Sequence, residues 1–191
     1  MMSTLKVQNI KHASSSSNNI ELLSNGKINL PNNSMVLQAV STQKLGAMTF
    51  PNIAQGANTG IVSGFTRSIT MSSSSNKVLV MASFSPGMDS THVMYATLMR
   101  GNTPICIGNQ SGGGNTQRVS RAYSGANDNY GYQTNIIFLD SPGSGTHTYG
   151  IRLSHADNGG RQMYLNRGNS HGNEYYVAGL SSDMTCLEIS A

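Results

Sequence analysis

An all-β fold, built as an antiparallel sandwich, is what this 191-residue sequence predicts. Three observations predict it. No window sustains apolar residues at i, i+3, i+4 and i+7 behind a capping residue, so helix signals are nearly absent. Short apolar stretches with period-2 alternation recur along the chain. Clusters of Gly, Ser, Asn and Pro, with 21 Gly in all, separate these stretches and supply turn chemistry.

The first segment stands apart from the rest. "LKVQNI" carries Leu5, Val7 and Ile10, and "ASSSSNN" follows it. In "IELLSNGKINL", Ile20 and Leu22 face Ile28 and Leu30 across Asn25-Gly26, the signature of a hairpin with a type I′ turn. So small a hairpin cannot bury its own apolar edge. It must lean on something, and copies of itself about a threefold axis would serve. "LPNNS" reads as a linker, which divides the chain into residues 1–34 and a sandwich domain at 35–191.

Within the second part, "VLQAVST" predicts a first strand. "NIAQGANTGIVSGFTRSIT" reads as a loop followed by a second, and "MSSSSN" as a turn. "KVLVMASFS" is apolar at consecutive positions, the pattern of a strand covered on both faces. "HVMYATLMRGNTPICIG" reads as two strands around Arg100-Gly101-Asn102, and "RVSRAYSGANDNYGY" as an irregular crossing. "QTNIIFLD" predicts another buried strand. In "THTYGIRLS", Tyr149, Ile151 and Leu153 alternate with polar or small residues. "QMYLNRG" and "YYVAGL" read as short strands. "DMTCLEIS" predicts a central C-terminal strand, with Thr185, Leu187 and Ile189 on one face and Met184 and Cys186 on the other.

Composition narrows the function. Charged residues are 10% of the chain, against about 25% in ordinary domains. The net charge of +4 rests on few groups and no Lys/Arg cluster, so nucleic acid is not an expected partner. The start "MMSTLKVQNI" has no apolar core of a secretory signal, and the longest apolar run, "VLVMA", is far too short for a bilayer. The expectation is a soluble protein made in the cytosol, with Cys106 and Cys186 as buried free thiols. Eleven Met and no Trp point to a core filled by flexible side chains.

No catalytic residue, metal or cofactor site is assigned. Asp140, Ser141, Ser144 and His147 lie within "FLDSPGSGTHTYGIRL", but this stretch leads through Pro142-Gly143 and Gly145 into a strand. A hydrolase nucleophile would sit on a strained elbow before a helix, so the stretch is read as a connection. His147, His155 and His171, with Asp157, lack metal-ligand spacing and are read as polar loop residues. "GNQSGGGN" at 108–115 precedes no helix and is read as a loop rather than a phosphate cradle. Arg121, Tyr123, Asn127, Asp128, Tyr130 and Tyr132 mix aromatic and polar groups as binding loops do, which makes 121–133 the candidate receptor contact. Eight Asp and Glu scattered over the chain leave no expectation of a carboxylate pair for glycan hydrolysis, so the chain is not read as an enzyme.

The order of "MVLQAVSTQK", "GFTRSITMSSSSNKVLVMASFS", "YATLMRGNTPI", "NIIFLDSPGSGTHTYGIRL", "MYLNRG" and "MTCLEIS" resembles the C-terminal knob of fibre and appendage proteins in tailed bacteriophages, especially those of marine bacteria. "STLKVQNIKHA…NIELLSNGKINLP" is similar to the short repeat preceding such knobs. The resemblance implies a jelly-roll sandwich of the complement/tumour-necrosis-factor type assembled as a homotrimer. It implies a virion component, assembled in the host cytoplasm: a tail fibre, head fibre or capsid decoration. Residues 1–34 would dock on other virion proteins, and the knob would adhere to host surface polysaccharide. With about thirty residues before the knob, a short spike or decoration is expected rather than a long fibre. The alternative is a free carbohydrate-binding, lectin-like module of the same fold.

Overall fold

A computed structural model of the chain describes residues 8–11, 13, 20–26, 28–29, 36–109, 117–124, 132–169 and 179–191. Among these the structure is all-β and antiparallel, with no helix. The strands are β1 (Asn9–Ile10), β2 (Ile20–Leu22), β3 (Ile28–Asn29), β4 (Val36–Lys44), β5 (Met48–Ile53), β6 (Asn58–Met71), β7 (Lys77–Phe84) and β8 (Pro86–Met88). They continue with β9 (Val93–Arg100), β10 (Thr103–Ile105), β11 (Arg121–Ser124), β12 (Thr134–Asp140), β13 (Gly145–His155), β14 (Arg161–Leu165) and β15 (Ser182–Ile189).

Four sheets result. β1-β2-β3 form a small one at the N-terminal end. A five-stranded sheet runs β10-β9-β13-β6, with β11 sharing the edge of β9 that β10 occupies further along. A four-stranded sheet runs β12-β7-β15-β4, and a short one runs β5-β14-β8. The last three enclose one core, to which every strand of the four-stranded sheet except its edge strand β4 contributes a buried apolar residue. Its floor is Phe65, Ile69, Leu98, Tyr149, Ile151 and Leu153 from the five-stranded sheet. Val78, Val80, Phe84, Ile136, Met184 and Cys186 face them from the four-stranded sheet. The rings of Phe65 and Phe84 meet across this interior at 6.4 Å between centroids. Met88, Met94, Met163 and Met184 are all buried, as the methionine-rich composition predicts.

Two buried carboxylates fix the sheets at defined points. Asp140 ends β12 and receives Arg100 Nη1 at 3.0 and 2.8 Å and the Tyr149 hydroxyl at 2.8 Å, so the two large sheets are joined by charge as well as by packing. Burial, and then the bond to Asp140, push the Tyr149 phenol well above its ordinary range. Glu188 lies on β15, where burial alone would raise its pKa. Bonds from Asn76, Gln38 and Ser72, at 2.6–2.8 Å, outweigh that effect and hold it at about 2. That cluster pins the β6–β7 turn and β4 to the C-terminal strand.

Several sequence expectations hold. β15 is central, between β7 and β4, with Met184 and Cys186 inward and Thr185, Leu187 and Ile189 outward. Tyr149, Ile151 and Leu153 are fully buried. Gly150 beside them has no room for a side chain, since a Cβ there would come within 2.6 Å of Ile61 where β6 bends past β13.

Others need correction. The hairpin β2-β3 forms with Leu22 opposite Ile28, but its connection is longer than a two-residue type I′ turn. Gly26 N–H donates to Leu23 O, and only Gly26 of the Asn-Gly pair takes positive φ. "DSPGSG" is a connection as read, and it carries the chain from β12 in one large sheet to β13 in the other. What the sequence reading lacks is the role of Asp140 at its start, a buried anchor. β5 escapes the sequence reading because Pro51 interrupts it, and the strand accommodates this with a register shift beside Asn52 at φ 53°. Cys106 is half-buried rather than buried. "YYVAGL" lies largely outside the described residues.

Candidate functional site

"KVLVMASFS" and "QTNIIFLD" depart most from expectation. Each is apolar on consecutive positions, but neither is covered on both faces. Alternation sends Val78, Val80, Ala82 and Phe84 of β7 into the core, and Leu79 and Met81 outward, half-exposed. On β12, Ile136 and Asp140 point inward while Ile137 and Leu139 are 61% and 48% exposed. Register aligns these outward residues: Ile137 lies beside Met81 and Leu139 beside Leu79, and Leu79 in turn neighbours Leu187 of β15. Ala39 of β4 extends the row opposite Leu187, and exposed Leu37 lies further along the same strand. Met81, Ser83, Asn135, Ile137, Asp183 and Thr185 border a shallow depression of about 200 Å³ in this face.

This outer face is the candidate functional site, an apolar surface on a chain otherwise wetted by hydroxyls and amides. Contiguous exposed apolar patches mark interaction surfaces when they exceed the scattered single residues of ordinary proteins. The signal was present in the sequence. An antiparallel strand with one wet face should alternate, and these two do not. The N-terminal sheet shows the same feature, since Ile10, Leu22, Leu23 and Ile28 are all exposed.

The residues singled out as a receptor contact are placed differently from one another. β11 runs along the edge of β9 with Tyr123 opposite Met94, a core residue, and Tyr123 packs against the core. Burial pushes its phenol to about 12. Arg121 is exposed, yet its guanidinium donates to Asn135 O and Ser120 O, which spans the two large sheets at their edge. Tyr132 is exposed. Asn127, Asp128 and Tyr130 lie outside the described residues.

Titratable groups cluster once more, around Asp157. Ser90 Oγ donates to Asp157 Oδ2 at 2.5 Å, His92 Nδ1 lies 3.4 Å from the same oxygen, and Arg161 Nε 2.6 Å. The Ser90 bond first, and then Arg161, lower the carboxyl's pKa against its burial. The trio Ser90, His92 and Asp157 superficially matches a nucleophile, base and orienter. The geometry is wrong for that role, because the serine proton goes to the carboxylate and one histidine nitrogen faces both partners. The cluster ties the β8–β9 connection to the end of β13. His155 is corrected from a polar loop residue to the fully buried last residue of β13, and His147 also lies on that strand. His171 lies outside the described residues. Among the described residues, no three His, Cys, Asp or Glu side chains converge as metal ligands.

No family model matches the chain, and no curated protein matches it. Among solved structures, a chain from "Structure of infectious bursal disease virus Gx strain" superposes with a TM-score of 0.40 at 10% identity. The match covers 84% of this chain and 37% of that one, so this chain spans little more than a third of its length.

Proposed function

We propose that this chain is a bacteriophage virion structural protein: a short homotrimeric fibre, spike or capsid decoration with a jelly-roll knob. One observation carries the reading, the uncovered apolar outer face of the β12-β7-β15-β4 sheet. Identical copies packed around an axis would remove Ile137, Leu139, Leu79, Met81 and Leu187 from water. At about 25 cal/mol per Å² this is the main available driving force on so uncharged a surface. The N-terminal sheet, with its own exposed apolar residues, docks the assembly on other virion proteins. Repetition about the axis multiplies a weak contact to host polysaccharide into useful avidity. The role is adhesive and architectural, not catalytic, and the engaged Ser90 hydroxyl is in keeping with that.

Light-scattering mass of the full chain at micromolar concentration tests assembly, with three times the monomer mass expected. The Ile137→Asp, Leu139→Asp double variant should run as a folded monomer. A monomeric parent chain sinks the proposal. Stoichiometric presence in purified particles tests the virion role, and cleavage of host capsular glycan by the protein would overturn the non-catalytic one.

A further inference from the structure

The apolar outer face is uneven, and the unevenness follows from which residues share each cross-strand row. Asn135, Ser83, Asp183 and Gln43 make one row across β12, β7, β15 and β4. Ile137, Met81, Thr185 and Ser41 make the next. Ser83 and Thr185 are short beside Met81 and Ile137, and the depression of about 200 Å³ lies among them, toward the β12 side. Apolar Met81 and Ile137 line it together with polar Asn135 and Asp183.

Where β4 ends, on the other flank of the same sheet, Leu45 stands out at 69% exposed, more than any other large apolar residue described. A lone exposed leucine is ordinary, but this one is held in place. The buried Asn166 carboxamide donates to Lys44 O at 2.7 Å and to Gly46 O at 3.3 Å, which pins the backbone on both sides of Leu45. Ser182 Oγ fixes Asn166 in turn by donating to its Oδ1 at 2.5 Å. A pinned turn has little freedom left to lose when its side chain docks. Lys44 beside it, and Asp183 at the depression, have no ion-pair partner among the described residues.

We propose that Leu45 of one copy fills this depression on the next, so that each chain offers a knob from its β4 flank and a hole from its β12 side. A contact between unlike patches repeats head to tail, and a rotation of one third of a turn closes it into a ring of three. Around an axis running along the strands, residues at equal heights meet. The turn just past Gln43 then lies level with the neighbour's Asn135 row, where the depression is. Lys44 travels with Leu45 toward the neighbour's Asp183, which brings opposite charges together. An apolar anchor in a pocket ringed by polar groups is the usual centre of a specific contact. This names the contact behind the homotrimer of the proposed function and rests on that reading.

The test uses the full chain with Leu45→Cys and Asn135→Cys, singly and together, treated with a short bismaleimide. The double variant should give covalent dimers and trimers on a denaturing gel. The single variants, which keep Cys106 and Cys186, should give neither. Leu45→Asp should weaken assembly about tenfold or more, equivalent to about 1.4 kcal/mol, with thermal unfolding of the dilute chain unmoved. Leu45→Met should assemble as the parent does. An assembled parent whose double variant cross-links no more than the single ones overturns the proposal. So does a ladder that stops at two, or a Leu45→Asp chain that keeps the parent's mass on dilution. Should the double cysteine variant fail to fold, the Leu45→Asp dilution series alone decides. A parent that stays monomeric ends the trimer and this contact together, whereas a trimer without the cross-link ends only this contact, so the two failures are distinguishable.

Discussion

The inner and outer faces of the β12-β7-β15-β4 sheet are made by the same four strands, often by adjacent residues, yet they meet different surroundings. Val80 and its neighbour Met81 differ by one position. The first is sealed against Phe65 and the five-stranded sheet, and the second faces outward among Ile137, Thr185 and Leu79. Strand geometry sets which side chain faces which way, but only a second layer removes water. The inner face has its layer within the chain. The outer face has the side chains for one, and no strand among the described residues supplies it. An apolar residue therefore contributes to folding on one side of the sheet and to association on the other.

Substitutions can break this division. Phe84→Ala on the inner face should cost about 3–5 kcal/mol in denaturant unfolding, because the cavity beside Phe65 cannot fully collapse. A loss below about 1 kcal/mol would show that the two layers are not tightly joined. Asp140→Ala should cost about 3 kcal/mol, since it strands the Arg100 guanidinium and the Tyr149 hydroxyl between the sheets. Asp140→Asn, which still accepts the tyrosine bond, should recover part of that loss.

Acid probes the rim of the same inner face. Glu188 is held near 2 in the folded chain, below its ordinary 4.5. The unfolded chain therefore takes up the proton first. Its stabilising contribution is complete above pH 4.5 and fades as pH falls from there toward 2. It is worth on the order of 2 kcal/mol, and Glu188→Gln should flatten the pH dependence of melting in that window. The smallest effect on folding belongs to the outer face. Leu139→Ser should change unfolding of the dilute monomer by no more than about 0.5 kcal/mol, while shifting the assembly measured by mass toward single chains. Equal losses from Leu139→Ser and Phe84→Ala would erase the distinction between the faces.

Much of the fold is legible from local pattern. Strands with clean alternation, such as Tyr149–Leu153 and Met184–Ile189, have the expected inward faces because period 2 leaves no other choice. Turns marked by Gly101 and Gly143 fall where expected. Harder to see were features that depend on partners distant in sequence. β5 is hidden by Pro51, and β11 becomes a strand only because β9 offers it an edge. The candidate surface is masked by a sound rule that holds for another kind of layer: consecutive apolar residues ordinarily signal burial on both sides. Their outward members await cover instead.

The position of β15 carries a consequence for synthesis. Among the described strands, β4 has its ladder only with β15, a strand that follows roughly 140 residues later. At about 5–20 residues per second, a ribosome holds that greasy ribbon unpaired for on the order of 7–30 s. Throughout that delay the nascent chain exposes a template to which neighbouring nascent chains could wrongly zip. Slowing translation between Lys44 and Ser182 should therefore raise the insoluble fraction, and a holdase chaperone should lower it.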